Sequence, residues 1–124
     1  MKNLLCILLL MIGFQSFAQT KTISGVKFPT TTKLGNENLV LNGGGLREKY
    51  WMDLYVAALY LETKTTDASK VIYGTGAMAI HIKIISSSVT RERFIESVNE
   101  GFANSSCKAS ADEKKKFISF FSEP

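Results

Sequence analysis

The hydrophobic and polar positions change their spacing twice along the chain. Residues 4–14 form one unbroken apolar run, residues 24–86 mix short apolar stretches with turn residues, and beyond residue 90 the apolar positions recur at helical intervals. In the middle region "SGVKFP" (24–29) predicts a short strand closed by Pro29. "TTTKLGNE" is turn-rich, and "NLVLNG" (38–43) predicts a second strand. Gly43-Gly44-Gly45 then predicts a sharp reversal, because glycine takes positive φ without steric cost. Leu46 to Leu61 has no interior Gly or Pro and suits either a long strand or a buried helix. We read it as a long strand, bent or bulged near Asp53 so that this charge reaches water.

"TDASKVIYG" (66–74) predicts a short helix with Asp67 as its cap and Gly74 at its end. "AMAIHIKIIS" (77–86) sets His81 and Lys83 against Ile80, Ile82 and Ile84, the alternation of a half-buried strand. In "TRERFIESVNEGFANSS" Phe94, Val98 and Phe102 fall four apart with Ile95 beside them, one helical face capped by Thr90. In "SADEKKKFISFF" Ser110 and Glu113 have capping-box spacing, and Phe117, Ile118, Phe120 and Phe121 supply an apolar side. Strands first and helices after imply an α+β fold with a mainly antiparallel sheet. The chain stops at "FFSEP", directly after an aromatic-rich helix, and we expect the C-terminus to be truncated.

The first region changes the picture of where the protein acts. Lys2 followed by an apolar stretch and then Ser16-Phe17-Ala18 has the layout of a secretory signal peptide. The stretch is shorter than the ~20 residues of a transmembrane helix. We expect cleavage near Ala18, an exported protein that is periplasmic or secreted, and a single domain over 19–124 with no membrane span. After cleavage Cys107 is the only cysteine, so no internal disulfide is possible; it reads as a packed or half-exposed thiol.

A formal charge of +4, reduced by one when Lys2 leaves, is mild and spread along the chain. Lys114-Lys115-Lys116 follows Asp112 and Glu113 and reads as the wet face of a helix, not the concentrated basic stripe of a nucleic-acid binder. One histidine, His81, and one mature cysteine cannot build a nitrogen- and sulfur-ligated metal site, so we expect no metal and no cofactor. No serine has a Gly-x-Ser-x-Gly context, and "NGGGLR" lacks the Lys-Ser/Thr of a phosphate loop.

What remains is "LNGGGLREKYWMDLYVAALYLE" (41–62), where Arg47 stands between glycines and apolar sequence. From the residues alone, Arg47 reads as an anion-binding group, as a structural ion pair with Glu48, Asp53 or Glu62, or as a surface residue. Trp51, Tyr55 and Tyr60 read first as core aromatics.

The order Leu-Asn-Gly-x-Gly-x-Arg followed by Tyr-Val-Ala-Ala-Leu-Tyr-Leu resembles the bacterial chalcone isomerase-like family, exported relatives of plant chalcone isomerase. "GVKFP" before it and "SSSVTRERFIESVNEGFANS" after it are similar to that family in order and spacing, so the resemblance covers the mature chain. It implies an open-faced β-sandwich of chalcone isomerase type, an antiparallel sheet with helices packed on one face and a ligand cleft between. The family continues beyond the point where this chain ends, in line with truncation.

In the catalytic members an arginine holds the anionic oxygen during ring closure, while a threonine, a tyrosine and an asparagine position water and the ketone. The resemblance places Arg47 at the arginine, Tyr55 at the threonine, Phe94 at the tyrosine and Gly101 at the asparagine. Only the arginine is retained. One preorganised donor is commonly worth ~3 kcal/mol in such a transition state, so efficient chalcone cyclisation is not expected. Non-catalytic plant relatives bind fatty acids, with the arginine holding the carboxylate. The resemblance therefore implies a small hydrophobic acid as ligand, with an isomerase using Arg47 against an oxyanion as the alternative. A structural or interaction module of the cell envelope is a third reading.

Overall fold

The computed structural model describes residues 18–105 and 108–122; the signal-peptide reading, apart from Ala18, and the reading of Cys107 fall outside them. Among the described residues six strands and three helices follow in order: β1 (Thr20–Ile23), β2 (Val26–Pro29), β3 (Thr31–Leu34), β4 (Glu37–Lys49), β5 (Met52–Leu61), α1 (Ala68–Ile72), β6 (Met78–Ile84), α2 (Arg91–Asn104) and α3 (Ala111–Ser122). β1 and β2 form a two-stranded sheet, and β3-β4-β5-β6 form a four-stranded antiparallel sheet in that order. The architecture is the expected α+β, open-faced antiparallel arrangement.

Two compact units divide the chain. Among the described residues, one holds 18–45 together with Ala57–His81; the other holds Leu46–Val56, 82–105 and 108–122.

In the first unit, β1 pairs with β2 from Thr20↔Pro29 to Ile23↔Val26. The hairpin turns on Ser24 (φ 48°) and Gly25 (φ 80°). Two consecutive positive φ values are what a tight turn needs to match strand twist, and glycine meets one of them at no cost. β3 pairs with β4 from Thr31↔Val40 to Leu34↔Glu37, so the turn-rich "TTTKLGNE" is itself half strand. Phe28, Leu39, Leu41, Ala58, Tyr60 and Leu61 are buried and form this unit's core. Backbone hydrogen bonds from Leu41 N–H to the Thr30 carbonyl (2.8 Å) and from Thr30 N–H to the Gln19 carbonyl (2.9 Å) link Gln19 through Thr30 to β4. Asp67 caps α1, its Oδ1 accepting from Ser69 N–H at 3.0 Å, and the helix ends at Ile72, with Tyr73 as its C-cap just before Gly74.

The expected glycine turn is not where the chain reverses. Gly43, Gly44 and Gly45 lie inside the 13-residue β4. The reversal comes at Tyr50 and Trp51, with φ of 52° and 62°. Leu46–Leu61 is therefore not one bent strand but the end of β4, a two-residue turn and the whole of β5. Among the three glycines only Gly44 is constrained by its surroundings. A Cβ there would run into the Ala57 carbonyl oxygen and lie 2.9 Å from Ile23 Cδ1, whereas Gly43 and Gly45 have open space.

In the second unit, α2 and α3 pack through their phenylalanines. Phe94 meets Phe121 (ring centroids 5.2 Å apart, 62°), Phe121 meets Phe117 (5.3 Å, 65°) and Phe117 meets Phe102 (5.7 Å, 81°). Edge-to-face pairs of this kind add ~0.5–1.5 kcal/mol each beyond the area they bury. Both helices begin at the expected caps. The Thr90 hydroxyl accepts from Arg93 N–H at 3.3 Å. Ser110 and Glu113 bond reciprocally, Ser110 N–H to Glu113 Oε2 at 2.8 Å and Glu113 N–H to Ser110 Oγ at 3.2 Å. No helix among the described residues is long and apolar enough to cross a membrane.

Candidate functional site

Arg47 sits near the end of β4, between half-buried Leu46 and exposed Glu48, two residues before the strand ends. Its side chain is exposed, and among the described residues it makes no hydrogen bond or ion pair. None of the three carboxylates considered as partners pairs with it. Glu48 and Asp53 are exposed and hold no ion pair with it. Glu62 accepts a hydrogen bond from Ala77 N–H at 3.2 Å, which fixes the loop after α1 against the end of β5. An exposed guanidinium keeps its hydration, so it escapes the several-kcal/mol penalty of a buried unpaired charge. It presents five donors in a planar fork that matches a carboxylate bidentately.

The other three residues singled out by the resemblance have different surroundings. Tyr55 lies half-buried on β5. Phe94 is half-buried in the first turn of α2, its N–H bonded to the Thr90 carbonyl at 2.9 Å and its ring set edge-on to Phe121. Gly101 is exposed near the end of α2, where a Cβ would meet nothing within 4 Å. No hydrogen bond, ion pair or ring contact among the described residues joins any two of Arg47, Tyr55, Phe94 and Gly101. Phe94 serves the helix pair, and Gly101 answers no steric demand.

Two open hollows lie in the first unit. One, of about 310 Å³, is lined by Asn42, Gly43, Gly44, Ala57, Ala58, Leu59 and Ile80 and is almost wholly apolar. Its room depends on the small residues that face it from β4 and β5. The other, of about 300 Å³, runs past Glu62, Lys64, Thr65, Lys70 and Met78. Its wall is braced by the Glu62–Ala77 bond and by Thr65 N–H donating to Asn42 Oδ1 at 2.9 Å. Sequence reasoning passed over Glu62 and Asn42 in these bracing roles, because each bonds a backbone group 15 or 23 residues away. His81 is exposed on β6 with its ring edge-on to Phe28 at 5.6 Å. No group of three or more potential metal ligands occurs among the described residues.

Among the described residues Tyr60 and Glu92 have shifted proton affinities. Burial pushes the Tyr60 phenol above its ordinary value. At the start of α2 the Glu92 carboxyl is held below the usual carboxylate range, first by its own backbone N–H and then by the Thr90 hydroxyl.

A sequence model of the chalcone isomerase-like family matches residues 20–123, and the chain belongs to that family. A search of curated proteins finds no match.

Proposed function

We propose that the protein is exported and binds a small hydrophobic acid, such as a fatty acid, without catalysing a reaction on it. Arg47 holds the carboxylate. The observation that carries this reading is the state of Arg47: an exposed guanidinium that makes no hydrogen bond or ion pair among the described residues, Glu48 and Asp53 included. Membership of the chalcone isomerase-like family supports the reading, since the sequence resemblance sets Arg47 against the arginine that meets an anion in that family. The isomerase alternative has less to draw on, since the Phe94 ring is engaged with Phe121 and Gly101 carries no donor.

The test is equilibrium binding of a long-chain fatty acid and of the alcohol of equal chain length to wild type and to Arg47→Ala. A hydrogen bond to a charged group contributes ~1.5–3 kcal/mol, so the acid should bind Arg47→Ala about 10- to 100-fold more weakly. The alcohol should bind both proteins alike. Equal affinity of the acid for both proteins rules the reading out.

A further inference from the structure

The turn between β4 and β5 is built from the wrong residues for a turn. Both central residues take positive φ, where Asn-Gly is the usual choice, yet the chain places Tyr50 (φ 52°) and Trp51 (φ 62°) there. Strain of this kind persists where the side chains themselves are needed. The rings are not used for packing: Trp51 is fully exposed, Tyr50 is 76% exposed and Met52 is 44% exposed. The Lys49 ammonium lies 5.4 Å from the Tyr50 ring centroid. That pairing leaves the other face of the ring and its hydroxyl to the solvent.

We propose that the Tyr50-Trp51-Met52 tip inserts into the headgroup region of a lipid bilayer. The composition fits that phase boundary. Tryptophan and tyrosine have an apolar body with a polar handle and concentrate at the membrane–water interface. Arg47 and Lys49 behind them are long side chains that keep their charged ends in water while their stems lie along apolar surface. A protein partner fits less well. Aromatic side chains bury about 150–250 Å² each, so the tip offers roughly 500 Å², short of the ~800 Å² per partner of a stable interface. Exposed Glu48 and Asp53 stand directly behind it and interrupt any apolar rim. The charges of Arg47, Glu48, Lys49 and Asp53 balance, so the rings drive insertion and zwitterionic lipid suffices. The inference does not depend on what Arg47 binds.

Trp51 is the only tryptophan in the chain, so its emission reports on the tip alone. The experiment adds vesicles of phosphatidylethanolamine and phosphatidylglycerol, then vesicles of phosphatidylcholine, to the protein as the cell processes it. Acyl-brominated lipid serves as the depth probe. Expected are a blue shift of Trp51 emission with both lipid mixtures and quenching by the brominated lipid. Tyr50→Asn with Trp51→Gly installs the ordinary turn and relieves the strain; this variant should fold and lose sedimentation with vesicles. Emission unchanged at every lipid concentration overturns the proposal. So does sedimentation with vesicles without quenching of Trp51, or undiminished sedimentation of the double variant. A blue shift that grows with protein concentration in buffer alone also overturns it, because it marks protein docking at the tip.

Discussion

The hydroxyl of Tyr60, buried on β5, donates to the carbonyl of Pro29 at the end of β2, 2.7 Å away and 31 residues back in sequence. This bond joins the β1–β2 hairpin to the four-stranded sheet within the first unit. Tyr60→Phe keeps the ring and removes the donor, leaving the Pro29 carbonyl short of a partner. Chemical denaturation should show a loss of ~1 kcal/mol. The pH dependence follows from the raised phenol value. Between the unfolded value of about 10 and the higher folded one, only the folded chain keeps the proton. The contribution is therefore full below about pH 10 and is lost as pH rises through the folded value. Tyr60→Phe should flatten that alkaline decline relative to wild type.

The three consecutive glycines should respond differently to the same substitution. Gly44→Ala drives a methyl group into the Ala57 carbonyl and Ile23, and should destabilise by about 1–3 kcal/mol as overpacking does. Gly43→Ala and Gly45→Ala enter open space in a strand, where glycine is itself unfavourable by roughly 0.5–1 kcal/mol. Thermal melts of the three variants should rank Gly44→Ala well below wild type and the other two at or above it.

Replacing the aromatic turn should stabilise the fold. Left-handed backbone costs an ordinary residue ~1–2 kcal/mol, and both Tyr50 and Trp51 bear it. Tyr50→Asn with Trp51→Gly should raise the unfolding free energy by about 1–2 kcal/mol in a denaturant titration, since neither ring is buried.

Helix α2 should be movable in both directions by single changes. Thr90→Ala removes the hydroxyl that accepts from Arg93 N–H and should cost ~1 kcal/mol. Gly101→Ala adds a methyl group where nothing stands within 4 Å and should gain up to about 1 kcal/mol. A loss on Gly101→Ala would mean that the position serves something other than the helix.

How much of this was legible in the sequence depends on whether the cause was local. The caps at Asp67, Thr90 and Ser110 were readable because each bonds a backbone N–H within three residues. The phenylalanine faces of α2 and α3 were readable because helical spacing brings them together whatever lies opposite. The β4–β5 turn was not. Three glycines advertise a reversal that Gly44 does not make, its smallness being demanded by β5 and Ile23 instead. Tyr-Trp hides a reversal, because no local preference places aromatic rings at positive φ. Strand β3 was missed since its pairing with β4 makes strand of a segment whose composition favours turns.

The same contrast holds for the candidate residues. Arg47 stood out as a charge beside glycines, and its exposure and lack of an acidic partner among the described residues became visible only with the side chains around it. Phe94 was legible as a helix-face residue, and it is one. The bonds Glu62–Ala77 and Tyr60–Pro29 are long-range, and nothing in their local sequence marks them.

We propose above that Arg47 holds the carboxylate of a hydrophobic acid. Native mass spectrometry of the protein and of Arg47→Ala, with a long-chain fatty acid titrated in, tests it most directly. The account predicts a compact charge-state distribution for both, a one-to-one adduct with the wild type, and an adduct markedly depleted in the variant. Compact protein that carries no adduct, or carries it equally in both forms, would contradict the account and leave Arg47 without a ligand.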